Sequence, residues 1–319
     1  MLAVQDLRVT FRRAGAAIEA VRQVSLDVEA GECVGIVGES GSGKTQLCLA
    51  IMGLLPPNAV VGGAVRFAGE DLLSAPPSRL SALRGAKLAM VFQDPQSALT
   101  PHLKIGVQMA EVLVRHRGLA WPAARAAALG MLGRVGMVDP ARCVQQYPHE
   151  LSGGMRQRVM IGMSLLCEPD LLIADEPTTA LDVTVQAQVL ELLGRMRRDL
   201  RMGILLVSHD LAVVAGLAER IVVMYAGRVV ENARARDLFR SPRHPYTAAL
   251  MACAPDLAGP VLARLPTLPG QPPGAAQRLD GCAFAPRCEY ANEQCARQRP
   301  LLSTLDGGRQ VACHAPLPP

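Results

Sequence analysis

Aromatic residues are scarce in this chain: five Phe, four Tyr and one Trp make up 3% of 319 residues. A core of domain size must then come from Leu, Val, Ala, Ile and Met, which the 50% hydrophobic content supplies. Long uncharged apolar runs are also missing. The best candidate, residues 203–227, is broken by Ser208, His209, Asp210, Glu219 and Arg220, whereas a spanning helix needs about 20 nearly uncharged residues. The start, Met1-Leu2-Ala3-Val4-Gln5-Asp6-Leu7, has no basic stretch followed by an apolar one, so no secretory signal is read. The expectation is a cytosolic chain that meets a membrane only through a partner. Charge of one sign is weak as well. The net +5 includes no long Lys/Arg run, which argues against a nucleic-acid footprint. Nine cysteines, an odd number, argue against a disulfide framework. Cys33, Cys48, Cys143, Cys167 and Cys253 stand in apolar surroundings and are expected to be buried.

Three short apolar runs stand out: Cys33–Val37, Leu171–Ala174 and Ile204–Val207. Continuous runs separated by helix-like segments predict parallel strands covered on both faces. Each ends in polar chemistry, at Gly38, at Asp175-Glu176 and at Ser208-His209. Ligands of open α/β sheets bind beyond carboxyl strand ends, so the three ends predict one shared nucleotide site. From about residue 97 to 165, Ala, Leu, Arg and Met dominate and predict a helical insertion, with Pro122 near a helix start. Its last helix is expected to begin at the stretch Leu151–Arg158, with Val159, Met163 and Leu166 on one apolar face. Past residue 254, prolines at 255, 260, 266, 269, 272 and 273 predict a linker or irregular loop.

Gly38-Glu39-Ser40-Gly41-Ser42-Gly43-Lys44-Thr45 fits the phosphate-loop pattern G-x-x-x-x-G-K-[ST]. Backbone N–H groups cradle phosphates there, Lys44 reaches the β and γ phosphates, and the Thr45 hydroxyl ligates Mg²⁺. A helix from Thr45 to about Leu55 would aim its positive end at the same anion. A chance match has odds of about one in a hundred in a chain of this length. Asp175 suits Mg²⁺, and Glu176 suits polarising an attacking water, because phosphoryl transfer needs positioning and charge stabilisation above all. Without the loop, an acidic pair capping a strand would be the default. His209 and Gln93, each after an apolar run, are weak signals alone; a lone His there is more often structural.

Together with Leu151-Ser152-Gly153-Gly154-Met155-Arg156-Gln157-Arg158, these residues resemble the ATP-binding cassette (ABC) family over essentially residues 1–250. The resemblance implies an α/β fold of the ABC-type P-loop ATPase kind: a RecA-like parallel sheet core with antiparallel β and helical subdomains. It makes Gly38–Thr45 the Walker A loop, Gln93 the Q-loop residue, also toward Mg²⁺, and Leu151–Arg158 the signature. It makes Leu171–Glu176 Walker B, Ala180-Leu181-Asp182 the D-loop, and His209 the switch histidine. In this family two ATPase units face head to tail, so Ser152, Gly153, Gly154 and Gln157 would serve a partner's ATP. One copy of each motif then implies a second ATPase subunit. Phe11, the one aromatic before the loop, is the candidate adenine stacker, although Arg12–Ala20 looks like an insertion that would displace it.

Phe92–Pro101, Tyr147–Arg158, Ala174–Gln188, His244-Pro245-Tyr246-Thr247 and Leu268–Pro273 resemble the oligopeptide/dipeptide and nickel importer branch more closely. The spacing Cys282-x5-Cys288-x6-Cys295-x17-Cys313 completes this likeness as a small Cys-rich C-terminal extension. Four clustered thiolates suit tetrahedral zinc or an iron–sulfur cluster. In the resembled branch such cysteines hold a 4Fe–4S cluster, which ranks first, with zinc second and free thiols third. The expected domains are 1–254, a nucleotide-binding domain with its helical subdomain at about 97–165, and 255–319, the extension. The expected function is an ATPase energising a di-/oligopeptide importer, with ATP and Mg²⁺ as cofactors. The same role for nickel or glutathione is the alternative. Its partners would be a second ATPase subunit (a paralogue before a copy), two transmembrane permeases and, indirectly, an extracytoplasmic solute-binding protein. It would lie on the cytoplasmic face of the inner or plasma membrane. A soluble translation or repair ATPase would carry two cassettes or long coiled coils, and an exporter ATPase would be fused to spanning helices. A degenerate regulatory subunit would have lost Lys44, Asp175, Glu176 or His209.

Overall fold

The computed structural model describes residues 1–13, 16–94, 98–179, 181–253, 268–274, 277 and 280–319. Pro95, Gln96, Ser97, Ala180 and the prolines at 255, 260 and 266 lie outside these residues. The chain divides into two compact units. The first comprises Met1–Val28, Cys33–Leu73 and Leu206–Pro319, the second Glu29–Glu32 and Ser74–Leu205. Described strands, in chain order, are β1 (Leu2–Arg13), β2 (Ala16–Val28), β3 (Cys33–Val37), β4 (Ala59–Phe67), β5 (Glu70–Asp71) and β6 (Leu88–Val91). They continue with β7 (Leu171–Asp175), β8 (Gly203–Ser208), β9 (Arg220–Tyr225), β10 (Arg228–Arg234), β11 (Ser303–Thr304) and β12 (Gln310–Val311).

In the first unit, β2-β1-β4-β5 form an antiparallel sheet. Leu2, Val4, Leu7 and Val9 of β1 are all buried, although a strict alternation would turn Leu7 and Val9 outward. The register shifts between Val4 and Leu7, where Asp6 takes φ 48°, and this bulge returns the apolar face to the core. Of the stretch Arg12–Ala20, Arg12 and Arg13 end the long β1 and Ala16–Ala20 begin β2, and the two strands pair through Phe11 and Ile18. A second group runs β11-β12-β10-β9-β3; β3 and β9 are parallel, β9, β10 and β12 antiparallel. On β10, the fully buried Glu231 accepts from the N–H groups of Arg243 and His244 and from the Arg309 guanidinium. This satisfies a carboxylate that burial would otherwise penalise heavily.

In the second unit β6 and β7 pair in parallel, and both are entirely buried. The three apolar runs read from the sequence are β3, β7 and β8, each buried throughout. Between 97 and 165 stand helices Ile105–Arg117, Trp121–Arg134, Pro140–Cys143 and Gly153–Leu165. Pro122 occupies the first turn of its helix, where a missing N–H is tolerated. The last helix buries Val159, Met160, Ile161 and Leu165; of the expected face, Val159 and Leu166, which follows the helix, are buried, and Met163 is half-buried. Stretch 203–227 resolves into β8, the short helix Leu211–Ala215 and β9. No described helix is long and apolar enough to cross a membrane. Cys33, Cys48, Cys143 and Cys167 are buried as expected, but Cys253, at the last turn of helix Pro245–Cys253, is only half-buried. Burial pushes the Cys143 thiol up to about 11.

Candidate active site

In the first unit, β3 delivers the glycine-rich loop. Gly43 has φ 99°, and a Cβ there would lie 2.4 Å from the Ala20 carbonyl oxygen; at Gly38 it would lie 2.2 Å from the Met224 oxygen. Neither position accepts a side chain. The loop is closed by Ser42 N–H to Glu39 O (3.1 Å), and Gly227 N–H donates to Ser42 O (2.9 Å). The buried Lys44 ammonium donates to Gly38 O at 2.7 Å and Glu39 O at 3.0 Å, with Ser42 Oγ at 3.4 Å. The following helix is Lys44–Met52. It stops short of Leu55 because Gly53 adopts φ 62° and turns its N–H back onto the last turn. Thr45 is half-buried in the first turn, while Ser40 and Gly41 are exposed. His209, exposed, follows β8 next to Asp210, whose Oδ1 caps the Ala212 N–H. Phe11 lies half-buried on β1, opposite Ala59 of β4.

In the second unit, β7 ends at the buried Asp175, and the next residue, Glu176, has φ 48°, a left-handed conformation rare for a non-glycine residue. Two donors fix its carboxylate: Gln93 Nε2 and Thr179 Oγ1 reach Glu176 Oε2 at 2.9 and 2.8 Å. Gln93 and Glu176, both singled out from the sequence, are therefore in direct contact. Thr179 was missed, although a hydroxyl three residues after the acidic pair is a local signal. The signature helix opens with Ser152, exposed, whose Oγ accepts from Met155 N–H at 3.3 Å. A Cβ on Gly154 would fall 2.9 Å from Val185 Cγ1, so glycine allows helix Gly153–Leu165 to approach helix Val183–Leu200. Asp182 caps that second helix through Val185 N–H at 2.9 Å. Gln157 is buried and donates to Pro177 O at 2.5 Å, tying the signature helix to the segment after Glu176.

The tail belongs to the first unit. Cys282, Cys288, Cys295 and Cys313 line one small cavity with His244, Tyr290 and His314. Turns bring them there: Cys282 N–H donates to Cys295 O at 2.7 Å, and Asn292 caps the helix carrying Cys295. Burial raises the thiols of Cys282 and Cys288, and lifts that of Cys313 to about 11. Among the described residues, no three His, Cys, Asp or Glu side chains already stand at metal-holding spacing. The irregular course expected past residue 254 is seen for 268–274. Sequence reading also missed Arg287, which bonds to Glu39 of the glycine-rich loop.

Residues 21–179 match the family described as ABC transporter, and 230–295 match the oligopeptide/dipeptide transporter, C-terminal region. The chain is 46% identical to the oligopeptide transport ATP-binding protein OppD of Salmonella typhimurium over 99% of its own length and 94% of that protein. It is 48% identical to the dipeptide transport ATP-binding protein DppD of Escherichia coli, covering 99% and 97%. Among solved structures it resembles the dimeric ATP-binding cassette MJ0796 bound to ADP and Pi, with TM-score 0.67 and 29% identity over 74% of this chain and 99% of that one. It also resembles cbiO1 of Clostridium perfringens, part of the cbiONQ transporter complex, with TM-score 0.63 and 26% identity over 75% and 90%. The chain belongs to the ABC transporter family, as an ATPase subunit that carries the oligopeptide/dipeptide transporter C-terminal region.

Proposed function

We propose that this chain hydrolyses ATP to energise the import of di- and oligopeptides through nucleotide-driven closing and opening of an ATPase dimer. The carrying observation is identity of 46–48% with oligopeptide and dipeptide transport ATP-binding proteins along nearly the whole chain, C-terminal region included. Residues 1–254 act as the nucleotide-binding domain, with its helical subdomain at about 97–165, and 255–319 as the extension. Loop residues Gly38–Thr45 hold the phosphates, with Lys44 as the cation, and Phe11 stacks on adenine. Thr45 in the first unit, and Asp175 and Gln93 in the second, would each offer an oxygen to a hard cation such as Mg²⁺, which when bound would neutralise phosphate charge. Glu176 accepts a proton from the attacking water, Gln93 steadies that carboxylate, and His209 contacts the γ-phosphate. Ser152, Gly153, Gly154 and Gln157 belong to the face offered to a partner's ATP, and Asp182 to the D-loop beside it.

The second ATPase is a paralogue before a copy. Two permease subunits hold the pair on the cytoplasmic face of the inner or plasma membrane, and an extracytoplasmic binding protein hands peptide to them. Co-expressed with its permeases and placed in proteoliposomes, the complex is expected to raise its ATP hydrolysis several-fold with binding protein and a di- or oligopeptide. Stimulation by nickel or glutathione alone would replace the peptide cargo.

The tail fits a metal centre through its donor set: four thiols on one cavity. A 4Fe–4S cluster held by Cys282, Cys288, Cys295 and Cys313 is the first reading, zinc the second; it would cross-link the tail, a structural rather than redox contribution. Anaerobically purified protein is expected to absorb near the visible–UV boundary, and Cys288→Ser to lose that band. Stoichiometric zinc without the band would select zinc instead.

A further inference from the structure

Glu39 lies within the glycine-rich loop, so its negative side chain stands in the segment proposed to receive a polyanion. Its carboxylate is gripped bidentately by Arg287, at 2.7 and 3.0 Å, from 248 residues further along the chain. The Arg287 side chain is almost fully buried, with 4% of it exposed. Its remaining bonds run to Pro269 O (2.8 Å) and the Tyr225 hydroxyl (3.2 Å), and its guanidinium stands 5.9 Å from the Tyr225 ring centre. Three of the chain's ten aromatic residues meet behind it. Phe284 packs 5.4 Å from Tyr225 and 5.3 Å from Tyr246, which lie 4.6 Å apart. The Tyr246 hydroxyl in turn accepts the Glu39 N–H at 2.9 Å. Both ends of Glu39, backbone and carboxylate, are thus held by residues outside the loop.

A planar guanidinium meeting both carboxylate oxygens fixes orientation as well as charge. Removing one partner of such a pair leaves the other charge uncompensated. Here the orphan would be an anion inside the loop that must receive phosphates. We infer that Arg287 is a positioning residue for nucleotide binding: it neutralises Glu39 and holds the loop's entry, coupling the cysteine-bearing tail to the ATP site. This rests on the assignment of Gly38–Thr45 as the ATP loop.

The test measures Mg·ATP affinity of the full chain by calorimetry at low temperature. Arg287→Ala is expected to weaken binding about tenfold, the scale of one uncompensated charge near the ligand. Arg287→Lys, which keeps the charge and loses the fork, restores part of this. The decisive arm is Glu39→Gln. Alone it tightens binding, because an unneutralised Arg287 then faces the polyanion, and added to Arg287→Ala it recovers most of the loss. A tail anchor of merely structural kind predicts instead that both single variants weaken binding and that the double variant is no better. That pattern, or an Arg287→Ala affinity within twofold of wild type, overturns the inference. Where Arg287→Ala misfolds, Arg287→Lys and Glu39→Gln still read its sign. Lys44→Ala separates the two levels: if it leaves ATP binding intact, the loop assignment fails rather than the role of Arg287.

Discussion

Glu176→Gln is expected to bind ATP with wild-type affinity and to lose turnover about a hundredfold or more, the scale of removing a positioned general base. The substitution is nearly isosteric, and its amide oxygen can still accept from Gln93 and Thr179, which now bond to Glu176 Oε2. The change is therefore confined to proton affinity and charge. The left-handed backbone at Glu176 stores strain that the surrounding segment must hold in place, and Gln tolerates that conformation about as well as Glu. Steady-state hydrolysis alongside ATP binding checks this. Robust turnover by the variant would remove Glu176 from its role and pass the water to another group.

The second large effect concerns the isolated chain. Each motif occurs once, and the related cassette MJ0796 is dimeric in its structure with ADP and Pi; the proposed function gives this chain an ATPase partner too. Ser152 and the first N–H groups of helix Gly153–Leu165 form a helix start that suits an anion. Losing such donors from a reacting phosphate lowers rate by about a hundredfold. Specific activity should accordingly be low in dilute isolated chain and rise by about that factor on adding the second ATPase subunit, or with concentration if copies pair. Ser152→Phe should suppress the rise while leaving ATP binding intact. Full activity in a verified monomer would contradict the composite site.

Legibility followed the range of each interaction. The apolar runs that became β3, β7 and β8 could be read because strands buried on both faces show no polar alternation. Contacts close in sequence, such as Thr179 on Glu176 or Gly53 ending the first helix, left signals that a closer reading recovers. The bulge at Asp6 hid the inward face of β1, since one inserted residue inverts the alternation beyond it. Arg287 on Glu39 and Arg309 on Glu231 have no local signature. Each pairs residues far apart in sequence, and only the folded chain brings them together.

The pairing of β12 with β10 carries a practical consequence for anyone trimming the molecule. Asn232 and Glu231 of β10 lie opposite Gln310 and Val311, so the last residues of the chain cap what would otherwise be a raw sheet border. The two-residue β11 beyond them offers little surface for a further strand to add to. A protein cut back to residue 254 would bare that border and strip Glu231 of Arg309, the combination that invites chain-to-chain pairing. A shortened "minimal ATPase" is therefore a poor substitute for the whole chain.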